Sequence, residues 1–280
     1  MNPWHRSQQA LRHYLLAVQF FTRLPVTGRL AGWVGYSPAM LRASAAHFPG
    51  VGWLVGGVAV AVHALLHAAL GGGLAQPLAL WVAAVGSTIA TVLATGGFHE
   101  DGLADVADGL GGSAQRERAL EIMKDSRIGA FGAMALVLAL LAKVSLLALI
   151  GSHGLVATLL LLWAGHVSSR GWPLLLIRAL PHVGDTATSK SKPLADRIGL
   201  PALWAAAAWC FVPLALVGWA LGAITFAASL AASALAAAAM HRWFARRLQG
   251  FTGDCLGATQ QVCELAFYLG AAIALAPRGA

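Results

Sequence analysis

The sequence predicts an all-α, polytopic membrane bundle, with about seven transmembrane helices and an N-terminal interfacial helix in a single membrane-embedded domain over residues 1–280. Three observations carry this. Hydrophobic residues make up 58% of the 280 and charged residues only 11%, where a soluble domain carries about 25% charged residues. Apolar stretches long enough to cross a hydrocarbon core, which takes about 20 residues, recur along the chain. The segments between them alternate between uncharged and charged.

The expected spans are approximately 47–70, 76–97, 130–150, 155–177, 201–219, 222–241 and 258–277. Short tips at Gly71–Gln76, Gly151–Gly154 and Gly218–Gly222 join three tight pairs and carry no charge. The longer connections, 98–129, 178–200 and 242–257, hold Arg116, Lys124, Arg127, Lys190, Lys192, Arg197, Arg242, Arg246 and Arg247. With Arg6, Arg12, Arg23, Arg29 and Arg42 near the N-terminus, they place that end and the charged loops in the cytoplasm by the positive-inside rule. Seven spans then put the C-terminus outside. Residues 8–24 are apolar on one side and marginal in length for a span, so an interfacial helix ending at Pro25 is expected. Gly52-xxx-Gly56 and the alanine-rich stretch 231–239 allow close helix contact.

The formal net charge of +8 belongs to loops beside apolar stretches, the pattern of residues facing anionic headgroups of a lipid bilayer. No basic-aromatic stripe points to nucleic acid. Cys210, Cys255 and Cys263 lack CxxC spacing and are expected as packing residues, without a disulfide or zinc site. Met1–Arg12 has no short apolar region followed by a small-residue cleavage site, so a removed signal peptide is not expected.

Charge reappears at Thr95-Gly-Gly-Phe-His-Glu-Asp-Gly-Leu-Ala-Asp-Val-Ala-Asp-Gly. If the segment is helical, Asp101, Asp105 and Asp108 fall at i, i+4 and i+7 and share a face. Like charges at that spacing repel, and a hard divalent cation, chiefly Mg²⁺, is the economical counter-charge. The interleaved Leu, Ala, Val and Gly imply packing against the bundle, which sets this segment apart from a solvated acidic loop. Glu100, Asp101, Asp105 and Asp108 are the metal candidates, with Asp108 and Asp105 also catalytic candidates and Asp108 the choice of base among the four. His99 fits a carboxylate-orienting, proton-carrying or structural role.

Before the third span comes Ala119-Leu-Glu-Ile-Met-Lys-Asp-Ser-Arg-Ile-Gly-Ala-Phe-Gly. Lys124 and Arg127 suit phosphate oxygens, Arg through its bidentate fork. Asp125 fits a further ligand or the cap of the next helix, and Gly129 and Gly132 permit close backbone approach. Carboxylate-held metal beside cations suits phosphoryl transfer. Elsewhere, Arg23 fits a diphosphate contact or a headgroup anchor, Arg170 a substrate contact lining a cavity, and Asp254 a ligand or a helix cap. His63 and His67 have metal-like spacing with no acid nearby, which favours packing. Lys190-Ser-Lys-Pro reads as a cytoplasmic anchor.

GGFHEDGLADVADGLGG followed by ERALEIMKDSRIGAFG closely resembles the signature of the cobalamin synthase (adenosylcobinamide-GDP ribazoletransferase) family. Phe20-Phe-Thr-Arg-Leu-Pro-Val26, Phe48-Pro-Gly-Val-Gly52 and Gly250-Phe-Thr-Gly-Asp-Cys-Leu-Gly-Ala258, with Glu264 beyond, resemble its other signatures in the right order. The resemblance implies an Mg²⁺-dependent enzyme of the bacterial cytoplasmic (inner) membrane, with its active site facing the cytoplasm. It implies joining of adenosylcobinamide-GDP to α-ribazole, or its 5′-phosphate, with release of GMP. Carried over, Glu100, Asp101, Asp105 and Asp108 match the first motif, Lys124, Asp125 and Arg127 the second, and Thr252, Gly253 and Asp254 the third. The chain departs from the pattern at Glu100, where leucine is usual, and at Gln261, where an acid is common. A homo-oligomer is left open.

Two rival functions are weighed against this. Lipid phosphotransferases that use CDP-alcohols share a DG-x-x-A motif but follow it with Arg, where this chain has Asp105. An ion-coupled transporter would place its acids in broken helices at mid-membrane, whereas these lie at a span's end.

Overall fold

The computed structural model describes residues 3–70, 76–184 and 198–276. The anchor expected at Lys190-Ser-Lys-Pro, and the tip expected at 71–75, lie outside the described residues. Among the described residues, twelve α-helices and a short 3-10 turn (Ala45–His47) follow in order, with no strand beyond a single bridge between His182 and Phe251. They are α1 (Pro3–Phe21), α2 (Gly28–Val34), α3 (Pro38–Ser44), α4 (Phe48–Leu70), α5 (Gln76–Thr95) and α6 (Phe98–Gly112). Then come α7 (Arg116–Ile122), α8 (Ala130–Gly151), α9 (Leu155–Ser168), α10 (Trp172–Ala179), α11 (Leu200–Arg247) and α12 (Gly253–Leu275).

Four helical stretches are long and apolar enough to cross a membrane: Pro38–Leu70, α5, α8 and α11. Within α11, Gly222 leaves helical geometry at φ 87°, ψ 159°, so two arms meet at the uncharged tip expected at Gly218–Gly222. Only glycine adopts that conformation without strain. The span expected at 155–177 is not one helix. It stops at Ser168, turns through Ser169–Gly171 and resumes as α10, because Pro173 cannot supply a backbone N–H to a continuing helix. The expected interfacial helix begins earlier than residue 8 and ends at Phe21, where Leu16, Ala17, Val18 and Phe21 bury themselves in the core.

The distribution of polarity is inverted relative to a soluble protein. Leu78, Leu93, Leu138, Trp204, Phe211 and Trp219 are exposed on the outer faces of α5, α8 and α11, while Lys143, His166, Arg170 and Glu264 are buried. Apolar surface of that extent is stable against lipid and not against water. The chain is a membrane protein.

α12 is the central helix, buried along most of its length and packed against α6, α8, α9, α10 and α11. Small residues set the close approaches. A Cβ on Gly52 would meet the backbone of His166 and Val167, one on Gly56 the Trp163 ring, and one on Gly270 the backbone of Ala228. The Gly52-xxx-Gly56 expectation is thereby met at the α4–α9 contact. Cys210, Cys255 and Cys263 are free thiols, as expected. His63 is fully buried with both ring nitrogens unpartnered, a packing position.

Candidate active site between α6 and α12

α5 ends in a turn made by two consecutive glycines in the left-handed region, Gly96 at φ 70° and Gly97 at φ 71°. Gly97 N donates to Val92 O at 2.9 Å, closing the end of α5. A Cβ on Gly96 would strike the Arg23 side chain, so glycine there also lets Arg23 lie across the turn. The chain is thereby turned immediately into α6, which carries the acidic segment.

On α6 the acids grade inward. Asp101 is exposed, Asp105 half-buried and Asp108 buried. Gly102 brings α6 against the start of α12, since a Cβ there would meet the backbone of Asp254. Asp101, Asp105 and Asp254 consequently crowd one another. Burial, then the neighbouring charges of Asp254, Asp101 and Asp108, push the Asp105 carboxyl up to about 7. No ion pair joins these three acids to a cation among the described residues.

Asp108 does something different. Its Oδ2 accepts from Gly129 N at 2.7 Å and its Oδ1 from Gly132 N at 2.8 Å. Gly129 is the N-cap of α8 and Gly132 lies in its first turn, so a carboxylate from α6 satisfies two donors that the helix leaves open. A Cβ on either glycine would collide with the Asp108 carboxylate. The close approach expected of Gly129 and Gly132 is therefore to a protein carboxylate. Asp108, the expected base, thus has each of its carboxylate oxygens engaged by a backbone N–H group.

The second motif sits on an exposed turn. Arg127 donates to Asp125 through Nε, at 3.0 Å to Oδ1, and through Nη2, at 2.6 Å to Oδ2. That guanidinium, first by its side-chain hydrogen bonds, holds the Asp125 carboxyl down at about 2. Asp125 is therefore not the cap of α8, a role Asp108 fills. Lys124 is exposed on the same turn.

Arg23 is exposed at the mouth of a cavity of about 620 Å³, lined by Gln19, Thr22, Gly96, Glu100, Asp101 and Leu136 among others. One cation and two acids thus share a space of nucleotide size. Lys124, Asp125, Arg127, His99 and Arg170 are not among its lining residues. His99 is stacked on Phe48 (ring centroids 5.6 Å apart, 14°) and edge-on to Phe98, with Nε2 buried and unpartnered. It sits in an aromatic cluster, outside the lining of the Arg23 cavity. Arg170, 2% exposed, donates to His166 O at 2.6 Å and covers the Phe48 ring at 5.7 Å. It lies in the interior, outside the lining of that cavity. Asp254 does not cap α12: that is Thr252, whose Oγ1 accepts from Cys255 N at 3.4 Å and donates to Asp254 Oδ2 at 3.2 Å.

No three His, Cys, Asp or Glu side chains among the described residues converge as a preformed metal cage. Of the expected set Glu100, Asp101, Asp105 and Asp108, all carried by α6, Asp108 has both oxygens engaged by backbone N–H groups. Asp101, Asp105 and Asp254 still suit a hard cation by donor type and by their unrelieved repulsion.

Two features escaped sequence reasoning. Lys143 lies mid-way along α8 and forms a buried ion pair with Glu264, Nζ to Oε1 at 2.7 Å. A lysine within an otherwise apolar span was the available signal. The second is a hydrogen bond of 2.9 Å from Gln261 Nε2 to Glu100 Oε1, which joins the two positions where the chain departs from the family pattern.

The family described as Cobalamin-5-phosphate synthase matches residues 13–272. An adenosylcobinamide-GDP ribazoletransferase of Polaromonas naphthalenivorans is 63% identical over 95% of this chain and 99% of its own length. Enzymes of the same name from Polaromonas sp. strain JS666 and Albidiferax ferrireducens are 62% and 61% identical, over 98% and 95% of this chain and 100% and 99% of theirs. No solved structure matches the chain. From the ordered motifs, the helical membrane bundle and these full-length similarities, the chain belongs to the cobalamin-5-phosphate synthase family, transferases of cobalamin biosynthesis.

Proposed function

We propose that the chain joins adenosylcobinamide-GDP to α-ribazole, or its 5′-phosphate, and releases GMP, at a site facing the cytoplasm of a bacterial inner membrane. The names of its relatives support the substrates, and the excess of Lys and Arg on one set of loops supports the side. The observation that carries the reading is the cavity in which Arg23 meets Glu100 and Asp101, beside Asp105 and Asp254.

Asp101, Asp105 and Asp254 would hold Mg²⁺, which supplies charge neutralisation for a diphosphate when bound. Arg23, which shares the cavity with Asp101 and Glu100, binds a diphosphate oxygen and orients the nucleotide. The proton acceptor is Asp105 rather than Asp108, because both Asp108 oxygens are engaged by Gly129 and Gly132. An Asp105 carboxylate oxygen takes the proton of the attacking ribazole hydroxyl, and the phosphate bridge to GMP breaks as the new phosphodiester forms. Lys124 and Arg127, on the turn that Asp108 holds against α6, are proposed to meet the departing phosphate. Asp108 fixes that turn.

Purified chain in liposomes, given adenosylcobinamide-GDP, tests the reading. GMP is expected only when both α-ribazole and Mg²⁺ are added. Release without α-ribazole, or none with all components present, overturns it.

A further inference from the structure

Behind the cavity wall lies a hydrogen-bonded chain through the interior. Glu264 accepts from Lys143 Nζ (2.7 Å) and Tyr268 Oη (3.2 Å) at Oε1, and from Gln260 Nε2 (2.7 Å) at Oε2, where His166 Nδ1 also lies at 3.2 Å. A buried carboxylate with this many partners is fully satisfied, and the pair is fixed in place. The Gln260 amide donates twice, to Glu264 and to Ser169 Oγ at 3.0 Å, which leaves its Oε1 facing the next residue. That Oε1 accepts from Gln261 Nε2 at 3.1 Å, and Gln261 spends its other N–H on Glu100 Oε1.

The direction of every amide in this chain is set by the ion pair. Flipping Gln260 would turn its carbonyl onto the Glu264 carboxylate, and flipping Gln261 would turn its carbonyl onto Glu100; either costs two hydrogen bonds among buried groups. The formal charges also close. Lys143 and Arg170 bring two positive charges, Glu264 brings one negative charge, and Glu100 is the second. Glu100 is the member that reaches the cavity, and its Oε2 is buried with no hydrogen-bond partner in the protein. The protein thus fixes this carboxylate in the wall of a ligand-sized cavity from behind, through Gln261.

We infer that Gln261 is a positioning residue, oriented through Gln260 by the Lys143–Glu264 pair, which holds the Glu100 side chain in the wall of the cavity where the incoming nucleoside binds. The inference rests on the transferase reading above. The acceptor nucleoside is the ligand chosen because Arg23 in the same cavity already suits the diphosphate substrate.

The test is a kinetic double-mutant cycle on the full chain in liposomes, varying α-ribazole at saturating adenosylcobinamide-GDP and Mg²⁺. Gln261→Leu is expected to raise the KM for α-ribazole by roughly 10-fold with little change in kcat. In a Glu100→Gln background the same substitution is expected to change KM by less than about 2-fold, since Gln261 acts through Glu100. An equal factor in both backgrounds, an unchanged KM, or a KM shift confined to adenosylcobinamide-GDP overturns the inference while leaving the transferase reading intact. Absence of GMP release by the wild type overturns the transferase reading and this inference with it. Lys143→Met combined with Glu264→Gln removes both buried charges together and guards against a fold that fails. It is expected to fold, with the KM for α-ribazole raised as in Gln261→Leu. A double variant with wild-type KM makes the chain a purely structural strut and overturns the inference.

Discussion

Two carboxylate groups on α12, ten residues apart in the sequence, have opposite surroundings. Glu264 is buried against Lys143, Tyr268, Gln260 and His166, its charge paired and its lone pairs filled. Asp254 faces Asp101 and Asp105 across a contact that Gly102 makes close. The first is a finished structural interaction. The second is a concentration of negative charge that pushes Asp105 up to about 7 and that a cation would relieve. A buried charge therefore marks the frame or the reaction centre according to whether the protein itself completes its shell.

Breaking the two sites should give opposite outcomes. Asp105→Asn removes a mutually repelling charge, so GMP release is expected to fall by about 100-fold or more while the thermal midpoint stays level or rises. A coupled loss of both would contradict the contrast. Lys143→Met leaves Glu264 buried without its cation, and is expected to cost about 3–5 kcal/mol; thermal unfolding in detergent measures it, and adding Glu264→Gln should recover most of the loss. Asp108→Ala strips the cap from α8 and is expected to cost about 2–3 kcal/mol, read in the same way, with Gly132→Ala destabilising by collision at the same contact. Arg23→Ala, exposed at the cavity mouth, should raise the KM for adenosylcobinamide-GDP by about 10-fold with an unchanged thermal midpoint. Arg127→Ala is expected to leave the midpoint where it is, because its partner Asp125 is also on the surface, and to lower GMP release only modestly.

The bundle was legible because lipid demands long apolar helices, and their lengths write themselves into the sequence. α4, α5, α8 and the two arms of α11 start and stop near the expected limits. α9 did not: Ser168 to Gly171 are individually acceptable within a span, and the apolar run hid the break that Pro173 imposes after Ser168. In the site, the spacing of Asp101, Asp105 and Asp108 correctly put them on one helix. It could not say that the third would be spent on Gly129 and Gly132, since that bond joins residues more than twenty apart. Asp254 became a partner of the acidic helix through Gly102, a contact without local signature. Lys143 and Glu264 were each visible as a charge inside an apolar span, but only the fold makes them a pair.

Mn²⁺ binding followed by electron paramagnetic resonance on detergent-solubilised chain tests the contrast most directly. The account predicts Mn²⁺ bound by the wild type, displaced by Mg²⁺, lost in Asp254→Asn and retained in the Lys143→Met, Glu264→Gln double variant. Binding that survives Asp254→Asn, or that disappears with the Lys143–Glu264 pair alone, would contradict it.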